Sequence, residues 1–317
     1  MRALVTGGAG FIGSNLVDRL LAEGNEVDVI DDLSTGSLAN LAEARAAGGE
    51  FRFHHVDLRS PEAVDLIVRR RPEVIFHLAA QAGVRPSVER PVFDAEVNVI
   101  GGLRVLEGAR AAGTEKIVFA ASGGTLYGDP SPAALPVSER QPHRPLSPYG
   151  VSKKALIDYL AAYRELYELE YTALALANVY GPRQDGHGEA GVVSIFAEAL
   201  VAGTSVVIFG DGRQTRDFVF VDDVVDAFSR AARHGGGLVL NIGTGVETAI
   251  NDLYKAMAKA CGSKDKPVHE AARSGDVRRS ALDPRRARIH LGWSPWTSLQ
   301  EGVKAVIDYV RETAVQP

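Results

Sequence analysis

The sequence has very little cysteine. Its 317 residues contain one, Cys261, which excludes an internal disulfide framework and a zinc site built from paired cysteines. Stretches of about 18 apolar residues are missing, and the N-terminal "MRALVTGGAG" lacks the apolar run of a signal peptide. We therefore expect a protein of the reducing cytoplasm that has no membrane partner.

An excess of positive charge is also missing. The chain has 35 Lys and Arg against 40 Asp and Glu, a net charge of -5 at pH 7. This balance argues against a nucleic-acid partner or an anionic membrane surface, although local basic pockets for small phosphates remain possible. The chain is long for one domain and has no low-complexity linker, so we expect one large domain with a second lobe.

Short apolar runs alternate with helical patterns through the first half of the chain. The apolar runs include "RALVTG", "EVDVID", "EVIFHLAA", "KIVFAAS" and "YTALALANV". Strands buried on both faces of a parallel sheet read as continuous apolar runs, whereas the intervening helices cover those faces. The pattern therefore predicts a doubly wound α/β fold.

The alternation loosens after about residue 178, and the apolar run "LVLNIGTG" is predicted to rejoin the sheet. We expect residues 1–177, with 218–245 rejoining them, to form the nucleotide-binding domain. Residues 178–217 and 246–317 are expected to form a smaller substrate-binding lobe.

A glycine-rich turn follows the first predicted strand. In "VTGGAGFIG", Gly7, Gly10 and Gly13 have the spacing that lets a backbone approach a pyrophosphate at a helix N-terminus. Such a turn can also serve only helix–strand packing. Asp31, which lies 18 residues after Gly13 at the end of the second strand, favours NAD, because a carboxylate accepts the ribose hydroxyls and repels a 2′-phosphate. Asp57, after the third strand, is predicted to contact adenine.

The segment "SPYGVSKKA" places Tyr149 and Lys153 four residues apart on one face of a predicted helix. A nearby ammonium stabilises a phenolate, and a bound oxidised nicotinamide would act in the same direction, so we expect the pKa of Tyr149 to fall toward neutrality. The same spacing occurs by chance on exposed helices. Together with the nucleotide motif, it predicts a general acid–base pair.

At this point the chain resembles the extended short-chain dehydrogenase/reductase family. The motifs "TGGAGFIG", "DDLSTG", "HLAAQAGV", "SGGTLYG", "SPYGVSKK", "NVYGPRQ" and "RDFVFVDDVVDA" occur in the family's order over nearly the whole chain. The resemblance implies a Rossmann-type sheet, bound NAD, a C-terminal nucleotide-sugar lobe, and cofactor contacts from Tyr149 and Lys153. It implies further cofactor contacts at Phe11, Ile12, Leu58, Ala79, Gln81 and Asn98.

Similar epimerases also use a hydroxyl in the loop after the fifth strand. Many of them carry a serine at the position that aligns with Gly123 in "SGGTLYG", so this hydroxyl must come from a neighbouring residue. We expect Thr125 to supply it, with Ser122 as the alternative, since one donor is enough at the sugar oxygen.

The same loop indicates which reaction to expect within the family. Related dehydratases and decarboxylases carry acidic residues there, and "SGGTLYG" has none. The chain most resembles bacterial UDP-glucose 4-epimerases, which implies interconversion of UDP-glucose and UDP-galactose. Two alternatives remain: a UDP-glucuronate 4-epimerase, in which Arg183 would face the C6 carboxylate, and a regulatory NAD-binding protein without catalysis.

The resemblance also implies how the substrate is held. It places diphosphate contacts at Asn178, Arg216 and Arg273, with Arg278 as an alternative to Arg273. It further implies a homodimer formed by two helices, one of which contains "LIDYLAAYREL" after Lys153. His187 has no second ligand at metal spacing, so no metal site is expected.

Overall fold

The computed structural model describes residues 1–47, 50–186, 191–272 and 277–315. Its strands are β1 (Arg2–Thr6), β2 (Glu26–Asp31), β3 (Phe51–His55), β4 (Val74–His77), β5 (Lys116–Ser122), β6 (Glu170–Leu176), β7 (Asn178–Tyr180), β8 (Val207–Phe209), β9 (Thr215–Arg216), β10 (Phe218–Phe220), β11 (Leu238–Ile242), β12 (Thr248–Ala249) and β13 (Val268–Glu270).

A seven-stranded parallel sheet has the order β11-β6-β5-β4-β1-β2-β3. The predicted doubly wound fold is therefore confirmed. The strand in "LVLNIGTG" rejoins the sheet, because β11 pairs with β6 in parallel. The strand order reverses between β1 and β4, and ligands of such sheets bind in the crevice at the carboxyl ends of the strands where this reversal occurs.

The helices form the layers on both sides of the sheet and a further group beside it. They are α1 (Phe11–Ala22), α2 (Ala42–Ala46), α3 (Pro61–Arg70), α4 (Val84–Glu89), α5 (Pro91–Ala95), α6 (Gly101–Ala112), α7 (Gly123–Leu126), α8 (Pro148–Tyr167), α9 (Val192–Val201), α10 (Val221–Ala231), α11 (Ile250–Cys261), α12 (Arg285–Leu291) and α13 (Leu299–Val315). Short 3₁₀-helices span Leu38–Leu41 and Pro132–Ala134, and a π-helix spans Glu96–Ile100.

Two apolar cores lie on opposite faces of the sheet. On one face α1 packs against α10, and on the other α3, α6 and α8 pack together. Successive residues of a strand point to opposite faces, so Phe76 of β4 belongs to the first core and Phe119 of β5 to the second. Within the described part of the chain, no helix is both long and apolar enough to span a bilayer.

Helices α9, α11 and α13 pack together beside the sheet domain. Asp217, which is fully buried just before β10, accepts hydrogen bonds from the backbone of Thr244, Gly245 and Leu282, so its carboxylate joins three separate segments of the chain. The predicted strand in "YTALALANV" extends past Asn178. Instead β6 ends at Leu176, and Asn178 begins the separate strand β7, which pairs with β10.

Candidate active site

The glycine-rich turn joins β1 to α1 at the carboxyl edge of the sheet. Gly7 has a φ of +72°, and a Cβ added there would lie 2.6 Å from the backbone nitrogen of Ala79. A Cβ on Gly13 would lie 2.0 Å from the carbonyl oxygen of Gly7. No side chain caps α1 at Gly10, so the helix presents its backbone N–H groups to a ligand. The turn fits a dinucleotide pyrophosphate, and Phe11 and Ile12 form the first turn of α1 behind it.

Asp31 lies at the carboxyl end of β2, beside this turn. Its two carboxylate oxygens accept one backbone N–H each, from Ala9 at 2.9 Å and from Leu33 at 2.8 Å. Burial raises the pKa of Asp31, and these two hydrogen bonds oppose the rise. Each carboxylate oxygen keeps a lone pair for a further donor, so the geometry fits the hydroxyls of a ribose.

Asp57 follows β3, next to the buried side chain of Leu58. Its carboxylate accepts hydrogen bonds from the guanidinium of Arg59, the shortest at 2.6 Å. These bonds lower the pKa of Asp57. A cavity of about 440 Å³ is lined by Asp57, Arg59 and Arg104 among others. Asp57, the predicted adenine contact, therefore lines this cavity.

Gln81 and Asn98 belong to a buried polar network under the start of α8. The side-chain amides of both donate to Asp94 Oδ1 at 3.0 Å, and the Asn98 amide also donates to Ser152 Oγ at 3.2 Å. The Ser152 hydroxyl donates in turn to the carbonyl oxygen of Tyr149. Sequence reasoning missed Asp94, which is 1% exposed. Its spacing of four residues from Asn98 inside an apolar segment is the signal that would have indicated it.

Tyr149 and Lys153 lie in the first two turns of α8. The hydroxyl of Ser147 caps this helix by accepting from the Gly150 N–H, and Pro148 occupies the first turn. Lys153 is 3% exposed, and its Nζ donates to the carbonyl oxygen of Ala120 at 2.9 Å. The same nitrogen lies 5.7 Å from the centre of the Tyr149 ring. The predicted pair is therefore together at the edge of the sheet.

The pKa of the tyrosine differs from the expectation. Burial raises the pKa of Tyr149 to about 12; the side chain of Ser122 opposes the rise and the charge of Asp94 adds to it. Burial also lowers the pKa of Lys153 to about 8, which Asp94 opposes. The ammonium donates to the Ala120 carbonyl oxygen, and desolvation of the buried phenol is the largest cause of its raised pKa. In the protein alone the phenol is therefore protonated at neutral pH.

The two candidate hydroxyls have different partners. The fifth strand ends at Ser122, whose side chain interacts with the Tyr149 phenol. Residues 123–126 form the short helix α7, which directs the Thr125 hydroxyl back to the Ser122 carbonyl oxygen at 3.3 Å. The structure thus places Ser122, the alternative in the sequence reasoning, next to Tyr149.

The predicted diphosphate contacts that the structure describes lie on β7, on β9 and in the segment after β13. The Arg216 guanidinium donates to the carbonyl oxygens of Thr215 at 2.8 Å and Val277 at 2.6 Å. Asn178 is partly buried on β7, and the Arg278 side chain is exposed. The predicted residues Arg273 and His187 lie outside the described residues.

Arg183 does not face an open site. Its guanidinium pairs with Asp18 of α1 at 2.6 Å and with Glu43 of α2 at 3.2 Å, and its side chain is 11% exposed. Burial raises the pKa of Asp18, and the arginine opposes the rise. These ion pairs join the loop after β7 to α1 and α2, so both sides of the guanidinium have carboxylate partners.

The residues at this edge define a class of protein: a dinucleotide-binding enzyme with a buried Tyr–Lys pair. A family model described as "NAD dependent epimerase/dehydratase family" matches residues 3–243. The chain belongs to this family. Among the described residues, no group of three or more His, Cys, Asp or Glu side chains is arranged to hold a metal ion.

Individual relatives are similar over their full length. A UDP-glucose 4-epimerase from Mycolicibacterium smegmatis is 53% identical over 98% of this chain and 99% of its own length. The crystal structure of a UDP-glucose 4-epimerase from Thermotoga maritima with UDP-glucose is 45% identical, has a TM-score of 0.95, and is matched over 99% of this chain and 100% of that one. A Thermus thermophilus UDP-glucose 4-epimerase in complex with NAD is 43% identical, has a TM-score of 0.91, and is matched over 98% of this chain and 99% of that one.

Proposed function

We propose that the protein is an NAD-dependent UDP-glucose 4-epimerase, which interconverts UDP-glucose and UDP-galactose. The observation that carries this proposal is the Tyr149 phenol, which interacts with the Ser122 side chain and whose ring centre lies 5.7 Å from the Lys153 ammonium nitrogen, at the same carboxyl edge of the sheet as the glycine-rich turn. This arrangement serves reversible removal of a hydroxyl proton next to a bound dinucleotide. Sequence identities of 53% and 43%, over nearly the whole chain, to proteins named for this activity support the proposal.

The chain's own residues supply acid–base chemistry and positioning. Tyr149 takes the proton from the 4-hydroxyl of the sugar and returns it after the C4 configuration is inverted, and Ser122 donates a hydrogen bond to the same oxygen. NAD, when bound, would supply a reversible acceptor for the C4 hydride, and its cationic ring would favour ionisation of a phenol whose pKa is about 12 in the protein alone. Gly7, Gly13 and Asp31 would hold the cofactor.

The sugar must present both faces of C4 while its nucleotide stays fixed. We propose that residues 178–217 and 246–317 hold the UDP part and residues 1–177 hold NAD, with Asn178, Arg216, Arg273 and Arg278 as the diphosphate contacts. Guanidinium groups suit this task because they bind phosphate oxygens in pairs. UDP alone should then inhibit turnover competitively with respect to the UDP-sugar.

The hydroxyl assignment gives a direct prediction. Ser122→Ala should lower kcat about 10- to 100-fold, because the mutation removes the hydroxyl next to Tyr149, whereas Thr125→Val should change kcat less than about threefold. Steady-state kinetics with UDP-galactose, together with thermal unfolding of each variant, measures both effects. A large loss in Thr125→Val with normal turnover in Ser122→Ala would assign the role to Thr125.

The function is tested by incubating the protein, without added NAD, separately with UDP-galactose and UDP-galacturonate. We expect UDP-glucose from the first and no epimer from the second, because Arg183 is occupied by Asp18 and Glu43. Conversion of only the acidic sugar would refute the neutral substrate. Failure to convert either one would favour a regulatory NAD-binding protein.

We propose further that the protein is a cytoplasmic homodimer. Helices α5 and α8 pack side by side and expose apolar side chains, among them Val92 (71% exposed), Val151 (52%) and Leu166 (69%). A second copy of this surface would bury them. Sedimentation velocity should give twice the chain mass of 33.8 kDa, and Leu166→Asp should shift it toward one chain. A monomeric wild type would contradict the dimer.

The proposed cytoplasmic location is supported by the single cysteine, because a protein without cysteine pairs suits a reducing compartment. Cell fractionation tests it.

A further inference from the structure

The Lys153 ammonium lies against an aromatic ring that the proposed mechanism does not use. Its Nζ lies 4.8 Å from the centre of the Phe119 ring, closer than the 5.7 Å to the Tyr149 ring. Nζ also donates to the carbonyl oxygen of Ala120, the residue after Phe119 in β5. A buried ammonium that has lost its water gains most from an aromatic face, because the ring quadrupole attracts a cation.

The orientation of the Phe119 ring is fixed from a neighbouring strand. Phe119 is 1% exposed and pairs in register with His77 of β4, whose ring stacks on it at 5.6 Å with an interplanar angle of 25°. His77 is held in turn by Thr6 of β1, whose Oγ1 lies 2.7 Å from His77 Nδ1. The ring is therefore presented to the ammonium by three adjacent strands of the sheet.

We propose that Phe119 is a positioning residue that binds the Lys153 ammonium with its ring face and keeps it charged next to the Tyr149 phenol. A phenylalanine in the middle of a central strand otherwise only fills the core. Its contact with the ammonium adds a second task, which is to favour the charged form of the lysine at the pH of the reaction.

The charges around Lys153 determine how this effect is measured. Tyr149 faces the ammonium from the same helix, Asp94 from α5, and His77 from β4. Burial, reinforced by the charge of Lys153, lowers the pKa of His77 to about 3, so the imidazole is neutral. Burial lowers the pKa of Lys153 to about 8, and Asp94 opposes this. Weakening the ring attraction must lower the pKa of Lys153 further, so the ammonium is lost at a lower pH.

Fluorinated phenylalanines test this inference with little change of shape. Phe119 is replaced with 4-fluoro-, 3,4,5-trifluoro- and pentafluorophenylalanine, which progressively weaken the attraction of the ring for a cation. The pKa of Lys153 is read by NMR titration of the purified protein labelled with [¹³Cε]lysine. The chain has eight lysines, and the Lys153 signal is assigned by its loss in Lys153→Met. We expect the pKa of Lys153 to fall stepwise along this series, by about one unit in the pentafluoro variant.

Phe76 provides the matched control. It is a fully buried phenylalanine on the adjacent strand, and its side chain lies in the core on the opposite face. The same substitutions there should leave the pKa of Lys153 unchanged. An unchanged pKa in the folded pentafluoro variant at position 119, or an equal fall in the Phe76 series, would overturn the proposal.

Turnover supplies a second readout, which rests on the proposed function. The alkaline limb of the pH profile of kcat for UDP-galactose should move to lower pH in step with the NMR values. A limb that stays in place while the pKa of Lys153 falls would show that the charge of Lys153 does not limit the reaction, and would overturn the link to Tyr149. If the wild type does not convert UDP-galactose, the proposed function fails, whereas the NMR titration still tests the role of the Phe119 ring.

Discussion

Replacing Tyr149 with Phe should lower kcat for UDP-galactose about 1,000-fold, which corresponds to about 4 kcal/mol of transition-state stabilisation. The variant keeps the ring and loses only the phenol that exchanges a proton with the sugar. KM and retained NAD should change little, because the ring still fills its place on α8 beside Lys153. Single-turnover kinetics at several pH values should show a rate that no longer depends on a tyrosine ionisation.

Tyr127→Phe is the control for the loss of a buried phenol. The Tyr127 hydroxyl donates to Asn241 Oδ1 at 2.7 Å in the core, and Tyr127 is 6% exposed. This variant should lose about 1 kcal/mol of unfolding free energy and keep kcat within about threefold of the wild type. If Tyr149→Phe retained wild-type turnover, another residue would have to be the base.

Replacing Gly13 with Ala should reduce the affinity for NAD about 100-fold. The added methyl would lie 2.0 Å from the Gly7 carbonyl oxygen, so the turn that receives the pyrophosphate must move. Displacements of this kind cost about 1–3 kcal/mol, and each 1.4 kcal/mol weakens binding about tenfold. The measurement is the NAD released on denaturing the purified variant, followed by calorimetric titration of the cofactor-free protein.

Gly24→Ala separates this effect from a general cost of replacing glycine. Gly24 follows the other end of α1, has a φ of +76°, and has open space around an added Cβ. The Gly24→Ala variant should lose about 1 kcal/mol of unfolding free energy through backbone strain and retain NAD like the wild type. Full retention of NAD by folded Gly13→Ala would show that this turn does not bind the dinucleotide.

Features that depend on local geometry were predictable from the sequence. The glycine spacing predicted a turn after the first strand with no room for side chains, and a Cβ added at Gly13 would indeed lie 2.0 Å from the Gly7 carbonyl oxygen. The spacing of four residues between Tyr149 and Lys153 specifies one helix face, and both residues lie at the start of α8. Continuous apolar runs specified the parallel sheet, because its strands are buried on both faces.

Features that depend on contacts between distant segments were not predictable. Arg183 pairs with Asp18, 165 residues away in the sequence, so its occupied state has no local signature. The sequence also missed Asp94, whose network joins three separate segments of the chain.

The expectation that the pKa of Tyr149 falls was wrong for a similar reason. Lys153 is close, but desolvation decides the pKa of Tyr149, and desolvation depends on packing that no spacing rule reveals. The choice between Ser122 and Thr125 likewise depended on the short helix α7, which the sequence reasoning did not predict and in which the Thr125 hydroxyl donates to the Ser122 carbonyl oxygen.

The central claim is that C4 is inverted by removing a hydride and returning it to the same carbon. The most direct test is conversion of UDP-[4-²H]galactose in ordinary water by the purified protein without added NAD, with the product analysed by mass spectrometry and NMR. The account predicts UDP-glucose that retains deuterium at C4. Loss of the deuterium to solvent would show that C4 exchanges a proton instead, and would contradict the account.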